Sequence, residues 1–207
     1  EVPDLLQAPP TEPRAGVELA RLVSAPFFED LRVTDKVSQN LHAELAILQV
    51  ARAKNGIASR KLALAEMKVF LREIGIEESE YFLRDGSGLS RMTLLTPAML
   101  TKLVVHMYNS PHRDAWVGLL PIGGQDGTLK NRFASNKSAA AVVHAKTGSI
   151  SHVAALTGYV LPENGKSYAF SIIANNVNGA DREARALIDK IVLTLVNASS
   201  AVTSSGN

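Results

Sequence analysis

Hydrophobic residues recur at helical spacing in several stretches of the chain. Leu41, Leu45 and Leu48, for example, follow one another at three- and four-residue steps. Apolar positions at this spacing fall on one face of an α-helix. The pattern predicts helices over residues 25–56, 59–75, 96–110 and 181–196.

Start and stop signals support two of these helices. Ser59 precedes one apolar run as an N-cap, and Gly75 ends it with a residue that tolerates the left-handed conformation. Thr96 precedes another run, and Pro97 takes the first helical position, where a missing N–H costs nothing. The boundaries of both helices are therefore predicted from chemistry as well as from periodicity.

A different pattern marks the strands. Residues 17–23 alternate apolar and polar side chains, which predicts a short strand. In the last third of the chain, β-branched and apolar residues fill 141–150, 153–162 and 167–177, with turns at Ser149–His152 and at "ENGK". Strands in consecutive order with helices before and after predict an α+β fold, an antiparallel sheet between helical layers.

Composition limits the classes of function. The 207 residues are 46% hydrophobic and carry a net charge of +2. The basic residues are scattered without interleaved aromatics, so we expect no nucleic-acid partner. No apolar run approaches the roughly 18 residues of a membrane span, so this chain is expected to contain no transmembrane segment. There is no cysteine, so disulfides and thiolate metal sites are excluded.

The ends of the chain differ from its middle. Four of the nine prolines lie in the first 13 residues, which predicts that residues 1–16 are a linker or a segment that crosses in from another part of a larger protein. Residues 198–207 are rich in serine, and we expect a disordered tail there. Residues 17–197 between them are predicted to form the folded part of the chain.

Metal and nucleotide sites find no support in the sequence. The five histidines show no tight ligand spacing, and "ENGKS" lacks the leading glycine of a phosphate loop, because that position is Val160. We expect neither a metal nor a cofactor.

Two triplets do carry chemistry. Ser38 and Asn40 form a Ser-x-Asn at the start of a predicted helix, and Lys146, Thr147 and Gly148 interrupt a predicted strand. Serine acyl-transferases combine such triplets with a Ser-x-x-Lys. A serine needs a base to accept its proton, a lysine fixes a substrate carboxylate, and a glycine leaves the strand edge bare.

Each triplet alone has a simpler explanation. A Ser-x-Asn before a helix is most often a cap, and a Lys-Thr-Gly is most often a turn. Here they occur in the expected order, with 106 positions separating Asn40 from Lys146, one at a helix start and one on a strand. The combination is more specific than either part.

Four segments extend the pattern into a family resemblance. "DKVSQNLHAEL", "LRDGSGLSR", "GGQDGTLKNRF" and "VHAKTGSISHVAALTGYV" resemble the class C type, low-molecular-mass penicillin-binding proteins, the D-alanyl-D-alanine carboxypeptidase/endopeptidase family. The resemblance runs from about Val17 to Val196. It implies a penicillin-binding, β-lactamase-like transpeptidase domain as the catalytic domain, of which residues 17–197 would be the C-terminal part. Residues 1–16 would then be the return from domains inserted upstream.

The resemblance also implies roles for individual residues. Ser38 corresponds to a proton-relaying serine and Asn40 to the residue that binds the substrate amide. Lys146 and Thr147 would engage the terminal carboxylate region. The backbone N–H of Ser149 would form half of the oxyanion hole, and its hydroxyl would assist with the carboxylate.

A second group would shape a pocket for the stem-peptide side chain. Leu89 and Arg91 of "GLSR" correspond to pocket residues in some members, and Ile150 would face the same pocket. For Arg91, a surface salt bridge is an equally good interpretation.

One element of the family pattern is absent. No Ser-x-x-Lys occurs in the 207 residues. We therefore expect the nucleophile on another segment or a companion chain in tight contact, and we expect this chain alone to be inactive. The resemblance implies a serine-type hydrolase of peptidoglycan stem peptides, located in the periplasm or cell envelope and inhibited by β-lactams. The alternatives are an inert peptidoglycan-binding relative, or a β-lactamase or esterase of the same fold.

Overall fold

The computed structural model describes residues 19–133, 135–177 and 181–201. The helices in these ranges are α1 (Phe27–Val37), α2 (Asn40–Asn55), α3 (Arg60–Glu73), α4 (Pro97–Tyr108), α5 (Arg113–Leu119), α6 (Lys137–Ala140) and α7 (Asp181–Ala201). The strands are β1 (Tyr81–Phe82), β2 (Leu94–Leu95), β3 (Val143–Ile150), β4 (Val153–Val160) and β5 (Tyr168–Asn175).

The predicted helix over residues 25–56 is in fact two helices. α1 ends at Val37, and Ser38 takes the left-handed conformation with φ 59° and ψ 56°. α2 then begins at Asn40, where the Gln39 side chain accepts a hydrogen bond from the Leu41 N–H at 3.3 Å. The apolar spacing continues through the break, so periodicity alone could not reveal it. The break places the Ser-x-Asn triplet at a corner.

The predicted boundaries of the next two long helices are confirmed. Ser59 is the N-cap residue of α3, although its side chain makes no capping hydrogen bond, and Gly75 follows the helix with φ 77°. The hydroxyl of Thr96 accepts the Met99 N–H at 3.1 Å, and Pro97 opens α4.

The last third of the chain forms a three-stranded antiparallel sheet in the order β3–β4–β5. One face packs on α7, with a core that includes Val143, Leu156, Val160, Ile188 and Val192. On the other face, a second cluster joins α4 to the sheet, and it contains Val104, Leu120 and Tyr159. The sheet therefore lies between helical layers, and the predicted α+β fold is confirmed.

Two predictions at the ends of the chain fail or are tested only in part. Residues 19–23 form no strand, because they belong to no strand ladder of the described residues, and Leu19 and Leu22 are almost fully exposed. Residues 17–18 of that prediction, and all of 1–16, lie outside the described residues. The predicted disordered tail begins too early, since α7 continues to Ala201; residues 202–207 again lie outside.

Candidate active site

A cleft of about 900 Å³ opens between the end of α1, the 87–95 segment and the outer edge of β3. Nine side chains or backbone positions predicted from the sequence line it: Ser38, Asn40, Leu89, Arg91, Lys146, Thr147, Gly148, Ser149 and Ile150. They come from three separate parts of the chain, residues 38–40, 89–91 and 146–150. The fold thus gathers into one cavity all of the residues that the sequence singled out.

The two triplets meet directly in this cleft. Lys146 Nζ donates a hydrogen bond to Ser38 Oγ at 2.7 Å, across 108 positions of sequence. A second N–H of the same ammonium group donates to the carbonyl oxygen of Thr147 at 2.9 Å. Because an ammonium group has only donors, the serine oxygen must accept and its own proton stays available to a third group. Ser38 is therefore oriented as a hydroxyl that can pass a proton.

The corner between α1 and α2 makes this contact possible. A left-handed conformation costs a non-glycine residue energy and recurs at functional sites. At Ser38 it turns the chain so that the hydroxyl faces β3 while Asn40 begins the next helix beside it. Lys36, two residues earlier, ties the end of α1 to a neighbouring loop by donating to Asp126 Oδ2 at 2.6 Å and to the carbonyl oxygen of Leu120 at 2.7 Å.

The outer edge of β3 is open along the Lys-Thr-Gly segment. At its start, the outward-facing backbone groups of Val143 and Ala145 are bonded to residues 121–123. Since backbone groups of a strand alternate in direction, Thr147 and Ser149 present theirs to the same outer side. There they have no backbone partner within the described part of the chain. An extended peptide could pair with this edge.

Gly148 leaves space in the cleft because it has no side chain. A Cβ atom at this position would come within 3.3 Å of the Ala155 Cβ on β4. Both residues line the cleft, so a larger side chain at either position would fill space beside Lys146. This explains why small residues face each other here.

Burial changes the charge balance at the base of the cleft. It lowers the pKa of Lys146, and the nearby carboxylate of Asp35 opposes this effect. Burial likewise raises the pKa of Asp35, and Lys146 partly offsets it. Each group therefore favours the ionised form of the other. Asp35 belongs to neither triplet, so sequence reasoning did not identify it as a member of the site.

A polar network shapes the loop that carries Leu89 and Arg91. The backbone N–H groups of Gly86 and Ser87 donate to Glu44 Oε1 at 3.0 and 2.9 Å. Asp85 accepts from Ser87 Oγ at 3.2 Å, and it also accepts from the Ser90 N–H and the Thr93 hydroxyl at 2.8 and 2.7 Å. Burial alone would raise the pKa of Asp85, but these hydrogen bonds together lower it. The acidic residue thus acts as the internal acceptor of the loop.

Two glycines of this loop have separate structural reasons. A Cβ at Gly86 would come within 2.7 Å of the Ile47 side chain on α2, so the loop can approach that helix only without a side chain there. Gly88 has φ 78°, which favours glycine. The "DGSGLSR" segment is therefore a loop built to hold Leu89 and Arg91 at the mouth of the cleft.

Several cleft residues were not found by sequence reasoning. They lie outside the recognised triplets, and their neighbours in space are far away in sequence; the charged members are Asp35, Arg132 and Arg185, and the polar members include Thr128. Thr128 Oγ1, for instance, lies 3.0 Å from Thr147 Oγ1.

Among the described residues, no helix is both long and apolar enough to cross a membrane.

Comparison with known proteins places this geometry in a family. The family model described as the D-Ala-D-Ala carboxypeptidase 3 (S13) family matches residues 2–197. The chain belongs to this family. The resemblance drawn from the sequence segments is thereby confirmed.

Curated relatives agree with the S13 assignment. The chain is 35% identical over 187 residues to carboxypeptidase DacB of Mycolicibacterium smegmatis, covering 88% of this chain and 41% of the relative. It is 34% identical over 183 residues to penicillin-sensitive carboxypeptidase A of Dictyostelium discoideum, covering 84% and 35%. The chain thus spans well under half the length of these relatives.

Solved structures confirm the penicillin-binding fold. Penicillin binding protein 4 of Haemophilus influenzae aligns with a TM-score of 0.71 and 28% identity, over 82% of this chain and 39% of that one. A β-lactamase from Sphaerobacter thermophilus aligns with a TM-score of 0.57 and 16% identity, over 82% and 63%. At that identity the second match shows the fold alone.

Proposed function

We propose that this chain supplies the substrate-binding half of a serine-type D-Ala-D-Ala carboxypeptidase or endopeptidase that hydrolyses peptidoglycan stem peptides. The observation that carries the proposal is the 2.7 Å hydrogen bond from Lys146 to Ser38, beside the open edge of β3. Membership of the S13 family and the relatives named as carboxypeptidases support it. The β-lactam complex of the Haemophilus protein supports β-lactams as inhibitors.

The acylating serine comes, in this proposal, from a segment other than these 207 residues, since no Ser-x-x-Lys is present. Its Oγ attacks the carbonyl carbon of the penultimate D-Ala, and the C–N bond to the terminal D-Ala breaks. The proton passes through Ser38 and the lysine of the missing motif to the leaving amine. Water then hydrolyses the ester and releases the shortened peptide.

The described residues have distinct tasks in this reaction. Asn40 binds the substrate amide, and the Ser149 N–H donates to the developing oxyanion, where a single donor contributes about 3 kcal/mol to the transition state. Lys146 and Thr147 hold the terminal carboxylate with the help of the Ser149 hydroxyl. Gly148 leaves the edge of β3 bare for the peptide.

Side-chain recognition takes place at the mouth of the cleft. Leu89 and Arg91 project from the "DGSGLSR" loop, and Ile150 lies at the far end of β3. Together they offer an apolar wall and one cation to the stem-peptide side chain. Because peptidoglycan is the substrate, the enzyme acts outside the cytoplasm, in the periplasm or cell envelope.

The missing segment is proposed to pack tightly against this chain. Large apolar side chains beside the cleft stand exposed, among them Met92 and Leu94. Exposed apolar side chains that lie close together favour association. A companion that carries the nucleophile would cover it.

The decisive experiment measures release of D-Ala from an N-acylated peptide ending in D-Ala-D-Ala, with the protein expressed from its intact coding region. Lys146→Ala should abolish turnover while leaving the fold unchanged, because the side chain lies in the cleft and not in the apolar core. Lys54→Ala, at an exposed position of α2, is the matched control and should retain activity. Wild-type turnover by the Lys146 variant would refute the assignment.

A second measurement tests the origin of the nucleophile. A fluorescent penicillin should label the protein from the intact coding region covalently, whereas this chain purified by itself should remain unlabelled. Labelling of the isolated chain would show that the acylating serine lies within it.

A further inference from the structure

α7 brings a guanidinium group to the outer end of the Lys-Thr-Gly strand. Arg185 Nη2 donates to Ser149 Oγ at 3.3 Å, and Arg185 lines the same cleft as Thr147 and Thr128. Thr147 Oγ1 and Thr128 Oγ1 are 3.0 Å apart. One end of the cleft thus combines three hydroxyl groups with a cation that comes from a distant helix.

The backbone that carries Arg185 is held by a largely buried ion pair. Arg132 Nη2 and Nε contact Asp189 Oδ1 at 2.6 and 3.0 Å, and the two side chains are only 14% and 15% exposed. Arg132 Nη2 also donates to the carbonyl oxygen of Arg185 at 3.3 Å, and the Phe133 N–H donates to Asp189 at 3.2 Å. A bidentate ion pair whose remaining donors and acceptors are also hydrogen-bonded holds its side chains in place more firmly than a single contact does. The first turns of α7 are therefore fixed relative to the cleft.

Lys146 is poorly placed to meet an anion at this end by itself. Two of its three N–H donors are committed, one to Ser38 Oγ and one to the carbonyl oxygen of Thr147. A carboxylate has two oxygens and about four lone-pair positions, and a guanidinium fork matches that geometry better than an ammonium group. The hydroxyls of Thr147 and Ser149 can donate one hydrogen bond each.

From this arrangement we propose that Arg185 is a specificity-determining residue that binds the C-terminal carboxylate of the substrate together with Lys146, Thr147 and Ser149. On binding, the guanidinium exchanges its 3.3 Å contact with the Ser149 hydroxyl for a charge-assisted hydrogen bond to the carboxylate. The Arg132–Asp189 pair positions Arg185 for this exchange. The inference rests on the proposed function, because it assigns part of the substrate site of that reaction.

The test uses two N-acyl-D-alanyl thioesters, one with mercaptoacetate and one with mercaptoacetamide as leaving group, and the protein from its intact coding region. The two substrates differ only in the terminal charge. Arg185→Gln should lower kcat/KM for the carboxylate substrate about tenfold or more, mainly through KM, and leave the amide substrate unchanged. Arg185→Lys should recover part of the loss.

Arg182→Gln, at an exposed position of the same helix, is the matched control and should leave both substrates unaffected. An unchanged carboxylate-to-amide ratio of kcat/KM in Arg185→Gln would overturn the inference. If both rates fell equally, the residue would be only structural; if neither fell, it would not contact the carboxylate. Failure of the wild-type protein to hydrolyse either thioester would instead refute the proposed function itself.

Discussion

The two halves that meet at the cleft are packed very differently. The sheet and α7 share a continuous core in which Val143, Leu156 and Val192 are completely buried. In α1 the buried residue is Thr34, and in α2 it is Ala51, with no large apolar side chain of either helix buried among the described residues. The strand with Lys146 therefore belongs to a rigid core, whereas Ser38 belongs to a thinly packed pair of helices.

Polar contacts hold α1 and α2 in position, whereas an apolar core holds the sheet. Lys36 ties the end of α1 to Asp126 and Leu120, Lys146 reaches Ser38, and Glu44 on α2 holds the "DGSGLSR" loop. Each contact lies at or near the cleft. A site assembled in this way depends on a few named hydrogen bonds for its geometry and on the sheet for its stability.

The largest expected effect comes from removing the same side chain in each half. Leu156→Ala should lower the free energy of unfolding by about 3 kcal/mol, because Leu156 is fully buried and a cavity would remain. Leu45→Ala on α2 should change it by less than about 0.5 kcal/mol, because Leu45 is 47% exposed and alanine favours a helix. Urea unfolding of the purified chain, followed by circular dichroism, measures both.

The milder variant Leu156→Val keeps the comparison usable if Leu156→Ala does not fold, and we expect about 1 kcal/mol for it. A loss of stability in Leu45→Ala equal to that in Leu156→Ala would contradict this difference in packing, since it would show that α2 is buried in solution against another surface. The same two variants can be measured in the protein from its intact coding region. A loss of stability in Leu45→Ala that appears only there would locate the contact made by the companion segment.

A medium effect is expected where the two halves are tied together. Lys36→Met removes the donor to Asp126 and to the Leu120 carbonyl, and we expect a loss of about 1–2 kcal/mol, reduced by the partial exposure of Asp126. Turnover should fall further than the loss of stability alone would explain, because the end of α1 positions Ser38. Lys61→Met, at an exposed position of α3, is the control. An unchanged turnover would show that Ser38 is positioned without this tie.

This division also decides what could be predicted from the sequence. β3, β4, β5, α3, α4 and α7 follow from periodicity and caps, since their local signals agree with their burial. The short strands β1 and β2 were not predicted. Residues 19–23 show the same alternation as a strand and form none, because a strand requires a partner that local sequence does not specify. The helical spacing over residues 25–56 likewise hides the corner at Ser38.

The site divides in a similar way. Ser38, Asn40 and the Lys146–Ser149 segment carry recognisable triplets, and the structure places all of them in one cleft. Asp35, Thr128 and Arg185 belong to neither triplet, and their place in the cleft follows from how α1, the 127–129 turn and α7 converge on β3. Long-range convergence of this kind is a property of the tertiary fold, and a single sequence does not reveal it.

The smallest expected effect tests the sheet half by pH. His144 lies on β3 two residues before Lys146; burial lowers its pKa below the ordinary value of 6.5, Lys36 adds to this and Asp126 opposes it. Its Nδ1 has no hydrogen-bond partner within the described residues, so a proton there would be poorly solvated.

The unfolded chain binds this proton more readily than the folded one. The stability that depends on neutral His144 is therefore fully present above pH 6.5 and is lost as the pH falls through the lower folded value. His144→Gln should flatten the fall in the urea midpoint between pH 7 and pH 5, with the exposed His112→Gln as control, and an undiminished slope would show that His144 does not contribute to it.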